Sequence, residues 1–79
     1  MFKNKNNDGT LNLSGKNISA LRISKNLSQR KLADQLQLLG MDLGKNAIQQ
    51  IESGNRFVTD IELKAFSELF NITTDDLLK

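Results

Sequence analysis

The 79-residue sequence contains no cysteine, histidine, proline, tryptophan or tyrosine. Without cysteine or histidine, a disulfide scaffold, a zinc site, a thiolate nucleophile and a Ser-His-Asp hydrolase cannot be built. An enzyme is therefore not expected, and neither a metal nor a cofactor is called for. The five glycines are scattered, which excludes collagen-like and flexible-linker classes. Apolar runs are short, as at Phe57-Val58 and Leu77-Leu78, where a membrane span needs about 20 consecutive residues. The start is polar and rich in Asn and Lys, unlike the charged cap and apolar stretch of a secretory leader. A cytoplasmic location with no membrane partner is expected.

The length and the 38% hydrophobic content suit one domain with one modest core. Charge is unevenly placed. Residues 1–58 hold nine basic side chains (Lys3, Lys5, Lys16, Arg22, Lys25, Arg30, Lys31, Lys45, Arg56) and four acidic ones (Asp8, Asp34, Asp42, Glu52). Residues 59–79 hold two basic and five acidic side chains. A positive front and a negative back orient a protein toward a polyanion, although so few charges also fit a solvated surface with chance asymmetry.

Periodicity gives a polar leader and five helices. Residues 1–13 crowd Asn4, Asn6, Asn7, Asp8 and Gly9 together and lack a helical repeat, so they are expected to form a mobile arm. A first helix runs from Ser14 or Gly15 to about Lys25, with Ile18 and Leu21 on one face and Asn26 closing it in a left-handed turn. Ser28 is placed to cap a second helix, about 28–39, whose Leu32, Ala33, Leu36 and Leu39 form an apolar stripe. After a turn at Met41 to Gly44, a third helix spans about 45–53, with Ala47, Ile48 and Ile51 apolar and Gly54 as its stop. Thr59 with Glu62 predicts a capping box before Leu63, Phe66, Leu69 and Phe70, and Thr73 with Asp76 repeats the pattern before Leu77 and Leu78.

The chemistry concentrates on the third helix. Lys45, Asn46, Gln49 and Gln50 put amides and an ammonium on a short helix that Ile48 and Ile51 can hold against a core. Asn and Gln bond adenine edges bidentately, Lys donates to guanine, and the Ala47 methyl suits thymine. An ordinary solvated face would more commonly carry Glu-Lys pairs. Phe66 and Phe70, four apart, read as core rather than as a platform for bases. Asp75 and Asp76 read as first-turn charges complementing a helix dipole rather than as a catalytic pair. Gly40 to Gly44 lacks the strand and the Lys-Ser or Lys-Thr ending of a phosphate loop.

Three blocks occur in order: Leu27-Ser28-Gln29-Arg30-Lys31-Leu32-Ala33, then Ile48-Gln49-Gln50-Ile51-Glu52-Ser53-Gly54, then Thr59-Asp60-Ile61-Glu62-Leu63, with a closing Leu69-Phe70-Asn71-Ile72-Thr73-Thr74-Asp75-Asp76-Leu77-Leu78. Together, over about residues 14–78, they resemble the Cro/repressor-type (xenobiotic-response-element) helix-turn-helix domain, in a variant with a long turn. The resemblance implies an all-α, lambda-repressor-like bundle of five helices occupying residues 14–79. In such a domain the second helix crosses the DNA backbone and the third lies in the major groove.

Carried over by position, the resemblance makes Lys45, Asn46, Ala47 and Gln50 base-reading residues, with Gln49 at the margin. It makes Ser28, Gln29, Asn55 and Arg56 phosphate-contacting residues, with Gln29 also able to brace the third helix. Arg22 and Glu52 match an internal salt bridge between helices one and three. Gln29 and Glu52 stand 23 positions apart, several more than the family usually has, with the surplus at Leu38 to Leu43. Gly44 stands where Ser or Thr normally caps helix three, and Asp42 offers an alternative cap. Three functions fit. The first is a transcriptional regulator, a repressor, binding a double-stranded operator as a homodimer. The second is an antitoxin that controls its own promoter and covers a toxin protein, and the third is a protein-interaction module that reads no DNA.

Overall fold

The computed structural model describes residues 5–79. Five helices follow one another: α1 (Gly15–Ser24), α2 (Gln29–Leu38), α3 (Lys45–Glu52), α4 (Asp60–Phe70) and α5 (Thr74–Leu77), and the described residues contain no strand. The all-α, five-helix expectation holds.

Local signals set the helix ends. The Ser28 hydroxyl accepts the Lys31 N–H at 3.0 Å and starts α2. At α4 the capping box is complete: the Thr59 hydroxyl accepts the Glu62 N–H at 3.1 Å, and the Glu62 carboxylate accepts the Thr59 N–H at 3.0 Å. Thr73 caps α5 by accepting the Asp76 N–H. Asn26 and Asn71 take φ of 57° and 56°, and the following N–H groups, of Leu27 and Ile72, reach back five residues to Arg22 and Ser67. This left-handed closure satisfies carbonyls that the end of a helix leaves without partners. The same bond closes α2 (Met41 N–H to Leu36 O, with Gly40 left-handed) and α3 (Asn55 N–H to Gln50 O, with Gly54 left-handed). Four successive helices thus end in one motif.

The start of α3 falls where the sequence puts it. Gly44 occupies the cap position with extended backbone, and no side chain, Asp42 included, bonds there.

Helices α1 and α2 flank α3, and α4 packs on α2 and α5. The core comprises Ile18, Leu32, Leu36, Leu43, Ile48, Ile51, Ala65, Phe66, Phe70 and Leu77. Phe66 and Phe70 stack with ring centroids 6.5 Å apart and are buried, so they belong to the core and present no platform for bases. One apolar position moves relative to the periodic reading, and one it left unassigned enters the core. Leu39 is 46% exposed, because α2 ends at Leu38 and the chain turns away. Leu43, in the long turn, swings inward and is buried, so the inserted residues supply a core side chain.

The expectation of a mobile arm for residues 1–4 lies outside the described residues, but residues 5–13 carry definite bonds. Asn6 donates to Thr10 and to the Asn12 carbonyl, Asp8 accepts from Thr10, and Leu11 N–H donates to the Gly54 carbonyl at 2.8 Å. Polar residues without a helical repeat here fold into a side-chain-bonded turn against the end of α3.

Candidate nucleic-acid interface

The α3 helix turns about 100° per residue. Ile48 and Ile51 are fully buried and define its inward face. Directly opposite lie Asn46, Gln49 and Gln50, all exposed, with exposed Lys45 on one flank and half-buried Ala47 on the other. Gln49, expected at the margin, therefore shares the outward face with Asn46 and Gln50. An eight-residue helix is about 12 Å long, comparable to the width of a B-DNA major groove.

Behind that face, three helices meet at one carboxylate. Arg22 of α1 donates to Glu52 of α3 through Nε (2.7 Å to Oε2) and Nη2 (3.1 Å to Oε1). Its Nη1 donates to the Leu27 carbonyl at 2.8 Å, and Gln29 of α2 donates through Nε2 to Glu52 Oε1 at 3.1 Å. The side chains of Arg22 and Glu52 are 15% and 8% exposed. The bonds to Glu52 hold the Arg22 guanidinium even more firmly protonated than usual. The expected Arg22–Glu52 pair is present, and Gln29 braces the third helix as the resemblance implies. A bidentate pair sealed by further donors is the arrangement in which a sheltered charge pair fixes geometry.

Arg56 lies in the loop after α3, where the resemblance puts it. Its Nη1 and Nη2 donate to Glu62 Oε1 and Oε2, both at 2.9 Å, and Nη1 also donates to the Phe57 carbonyl. The guanidinium expected to grip phosphate is thus also bonded within the domain, closing the α3–α4 loop onto the first turn of α4, with its side chain still 34% exposed. Arg56 holds the Glu62 carboxyl below the usual carboxylate range, helped by the Thr59 N–H. Sequence reading missed Glu62 as a site residue because its capping-box role accounted for it. Its position six residues after Arg56, across a short loop, was the available signal.

Ser28 and Asn55 are exposed. The Ser28 hydroxyl accepts the cap bond and keeps its proton available to donate, while the Asn55 amide donates to Ser53 at 3.3 Å. Arg30, Lys31 and Lys45 are exposed, and no ion pair forms at them among the described residues. The described residues also contain no cluster of three or more potential metal ligands, and no helix long and apolar enough to cross a membrane.

A family model described as a helix-turn-helix domain matches residues 15–79. The chain is also 38% identical over 61 residues to a protein of Enterococcus faecalis named HTH-type transcriptional activator BcrR; the match covers 77% of this chain and 28% of that protein's length. No solved structure matches significantly. With an outward amide face on a short helix locked by the Arg22–Glu52–Gln29 network, and with a family match across most of its length, the chain belongs to the helix-turn-helix domain family.

Proposed function

We propose that this chain is the DNA-reading domain of a transcriptional regulator, with α3 lying in the major groove of a double-stranded operator. The observation that carries this reading is the outward face of α3. Three amide side chains and an ammonium stand on a helix whose opposite side is buried and whose last residue is tied to two other helices. Asn46, Gln49 and Gln50 present paired donors and acceptors to base edges, Lys45 adds a donor at the helix start, and the Ala47 methyl meets thymine. Ser28, Gln29 and Asn55 contact phosphates, which fix register without specifying sequence. We reassign Arg56 from phosphate contact to loop closure, because Glu62 and the Phe57 carbonyl take three of its five N–H groups.

As a homodimer, the protein places two α3 helices about 34 Å apart, one turn of DNA. A protein-binding module would expose aromatic or aliphatic anchors on this face, and α3 offers none there. The repressor assignment rests on the family resemblance alone, and the Enterococcus relative is named an activator. Direction of control depends on where the operator lies relative to the promoter, not on how the domain reads it.

Selection of bound fragments from random double-stranded DNA tests the proposal. One enriched motif with two-fold symmetry is the expected result, and it reports base reading and dimer spacing together. Binding that enriches no motif overturns the reading.

A further inference from the structure

The two ends of α3 are secured unequally. At its start, Gly44 supplies no side-chain bond. At its end, a residue from the leader supplies several. Asn12 Nδ2 donates to the Ile51 carbonyl at 3.0 Å and to the Arg56 carbonyl at 2.8 Å, while Asn12 Oδ1 accepts the Gly15 N–H at 2.7 Å. One half-buried amide thereby joins the end of α3, the loop after it and the start of α1. Ile51 is among the last residues of its helix, where carbonyls lack the usual helical partner; its oxygen accepts the Gly54 N–H at 3.1 Å, and Asn12 supplies a second donor.

The backbone is shaped around this contact. A side chain at Gly15 would overlap the Ile51 carbonyl, and a Cβ at Gly54 would strike Thr10 of the leader, 2.6 Å from its methyl. Leu11 N–H donates to the Gly54 carbonyl between these two points. The leader's own turn, held by Asn6 and Asp8, presents Thr10 to Asn12 to that notch.

We propose that Asn12 is a positioning residue for DNA reading: it clamps the C-terminal end of α3 from outside the helix-turn-helix, so that residues 10–12 are part of the reading unit. The clamp itself stands on the geometry, and its consequence for DNA rests on the function proposed above. Asn12 sits behind the helix end and contacts no base in this arrangement. Its loss therefore acts on how well the outward amides of α3 are held in register. An eight-residue helix with one uncapped end has little rigidity of its own, so its angle in the groove depends on such external ties.

The experiment compares the unmodified chain with Asn12→Ala, Asn12→Asp and, as a control for general destabilisation, Leu77→Ala. Leu77 is fully buried in α5, remote in sequence from the leader. Native-state hydrogen exchange is read first. In the unmodified chain, the Leu11 amide is expected to exchange as slowly as those of Ser53 to Asn55. In Asn12→Ala these amides are expected to speed up about tenfold relative to those of α4. Asn12→Asp keeps the acceptor for Gly15 but faces two carbonyls with a carboxylate, and is expected to lose more.

Binding to the selected motif and to unrelated DNA is then measured, on folded protein, across salt concentration. Asn12→Ala is expected to reduce the ratio of specific to non-specific affinity about tenfold, with the salt slope unchanged because no phosphate contact is removed. Leu77→Ala is expected to lower stability and leave the ratio alone. A ratio within about twofold of the unmodified chain in folded Asn12→Ala overturns the positioning role, as does an equal fall in Leu77→Ala. Solvent-rate exchange at Leu11 in the unmodified chain overturns the clamp even if the variants do not fold. If the unmodified chain selects no motif, the DNA reading fails and the exchange data alone decide the clamp.

Discussion

Two bidentate Arg–Glu pairs do different work in this domain. Arg22–Glu52 joins residues 30 apart in sequence and, through Gln29, ties α1, α2 and α3 together. Arg56–Glu62 joins residues six apart and closes one loop onto the helix that follows. The first is also better sheltered, its arginine side chain being 15% exposed against 34% in the second. What a charge pair contributes depends on what it connects and how far water is kept away, and only secondarily on its bond lengths.

The comparison is broken most sharply at Glu52. Replacing Glu52 with Ala strands the Arg22 guanidinium beside the core, and a loss of about 3 kcal/mol in urea unfolding is expected, accompanied by weakened motif binding. The double replacement Arg22→Ala/Glu52→Ala is expected to recover part of that loss, since no charge is then left alone. Additive losses would show that the two residues act independently.

Arg56→Ala is expected to cost less, about 1.5 kcal/mol, because water partly replaces the lost partner. Its diagnostic is the salt dependence of DNA binding. A slope unchanged from the parent chain is expected for a loop-closing arginine. A slope shallower by about 1 would return Arg56 to phosphate contact.

Gln50→Ala touches neither pair. It is expected to shift preference at particular base pairs by about 1 kcal/mol while stability moves by less than about 0.5 kcal/mol, checked by repeating the selection and the urea titration. Loss at every sequence alike would contradict the assignment to base reading.

The smallest effect is read by pH at the Arg56–Glu62 pair. The Arg56 guanidinium, helped by the Thr59 N–H, holds the Glu62 carboxyl below the ordinary glutamate value of about 4.5 in the folded chain. A carboxyl depressed by folding contributes stability that is present above its unfolded value and lost as pH falls through the folded value. Unfolding followed from pH 6 down to pH 3 should therefore show an acid limb below about 4.5 that flattens in Arg56→Ala. An identical limb in both proteins would place that acid sensitivity elsewhere.

Much of the fold was legible because its signals are local. Ser28, Thr59 and Thr73 cap helices within their own first turns, and Asn26 and Asn71 adopt left-handed backbone that few other residues take easily. The spacing of Ile48 and Ile51 already separated the inward side of α3 from its amides. The Arg22–Glu52 pair was legible only through the ordered family motifs, since nothing within either helix says that the other approaches. Leu39 was misplaced in the apolar stripe, and Leu43 was assigned no side, because periodicity has no information about where a lengthened turn leads the chain.

By itself, the sequence determined five helices, their ends, the outward set Lys45, Asn46, Gln49 and Gln50, and the exclusion of histidine and thiol chemistry. These follow from backbone hydrogen bonds and side-chain periods that span a few residues. Tertiary structure alone decided that the leader clamps α3 through Asn12, that Leu43 fills the core, and that Glu62 pairs with Arg56 across the loop after α3. Each of these requires segments to meet in space, and the stabilisation comes from placing donors beside acceptors that a helix end or a loop leaves open.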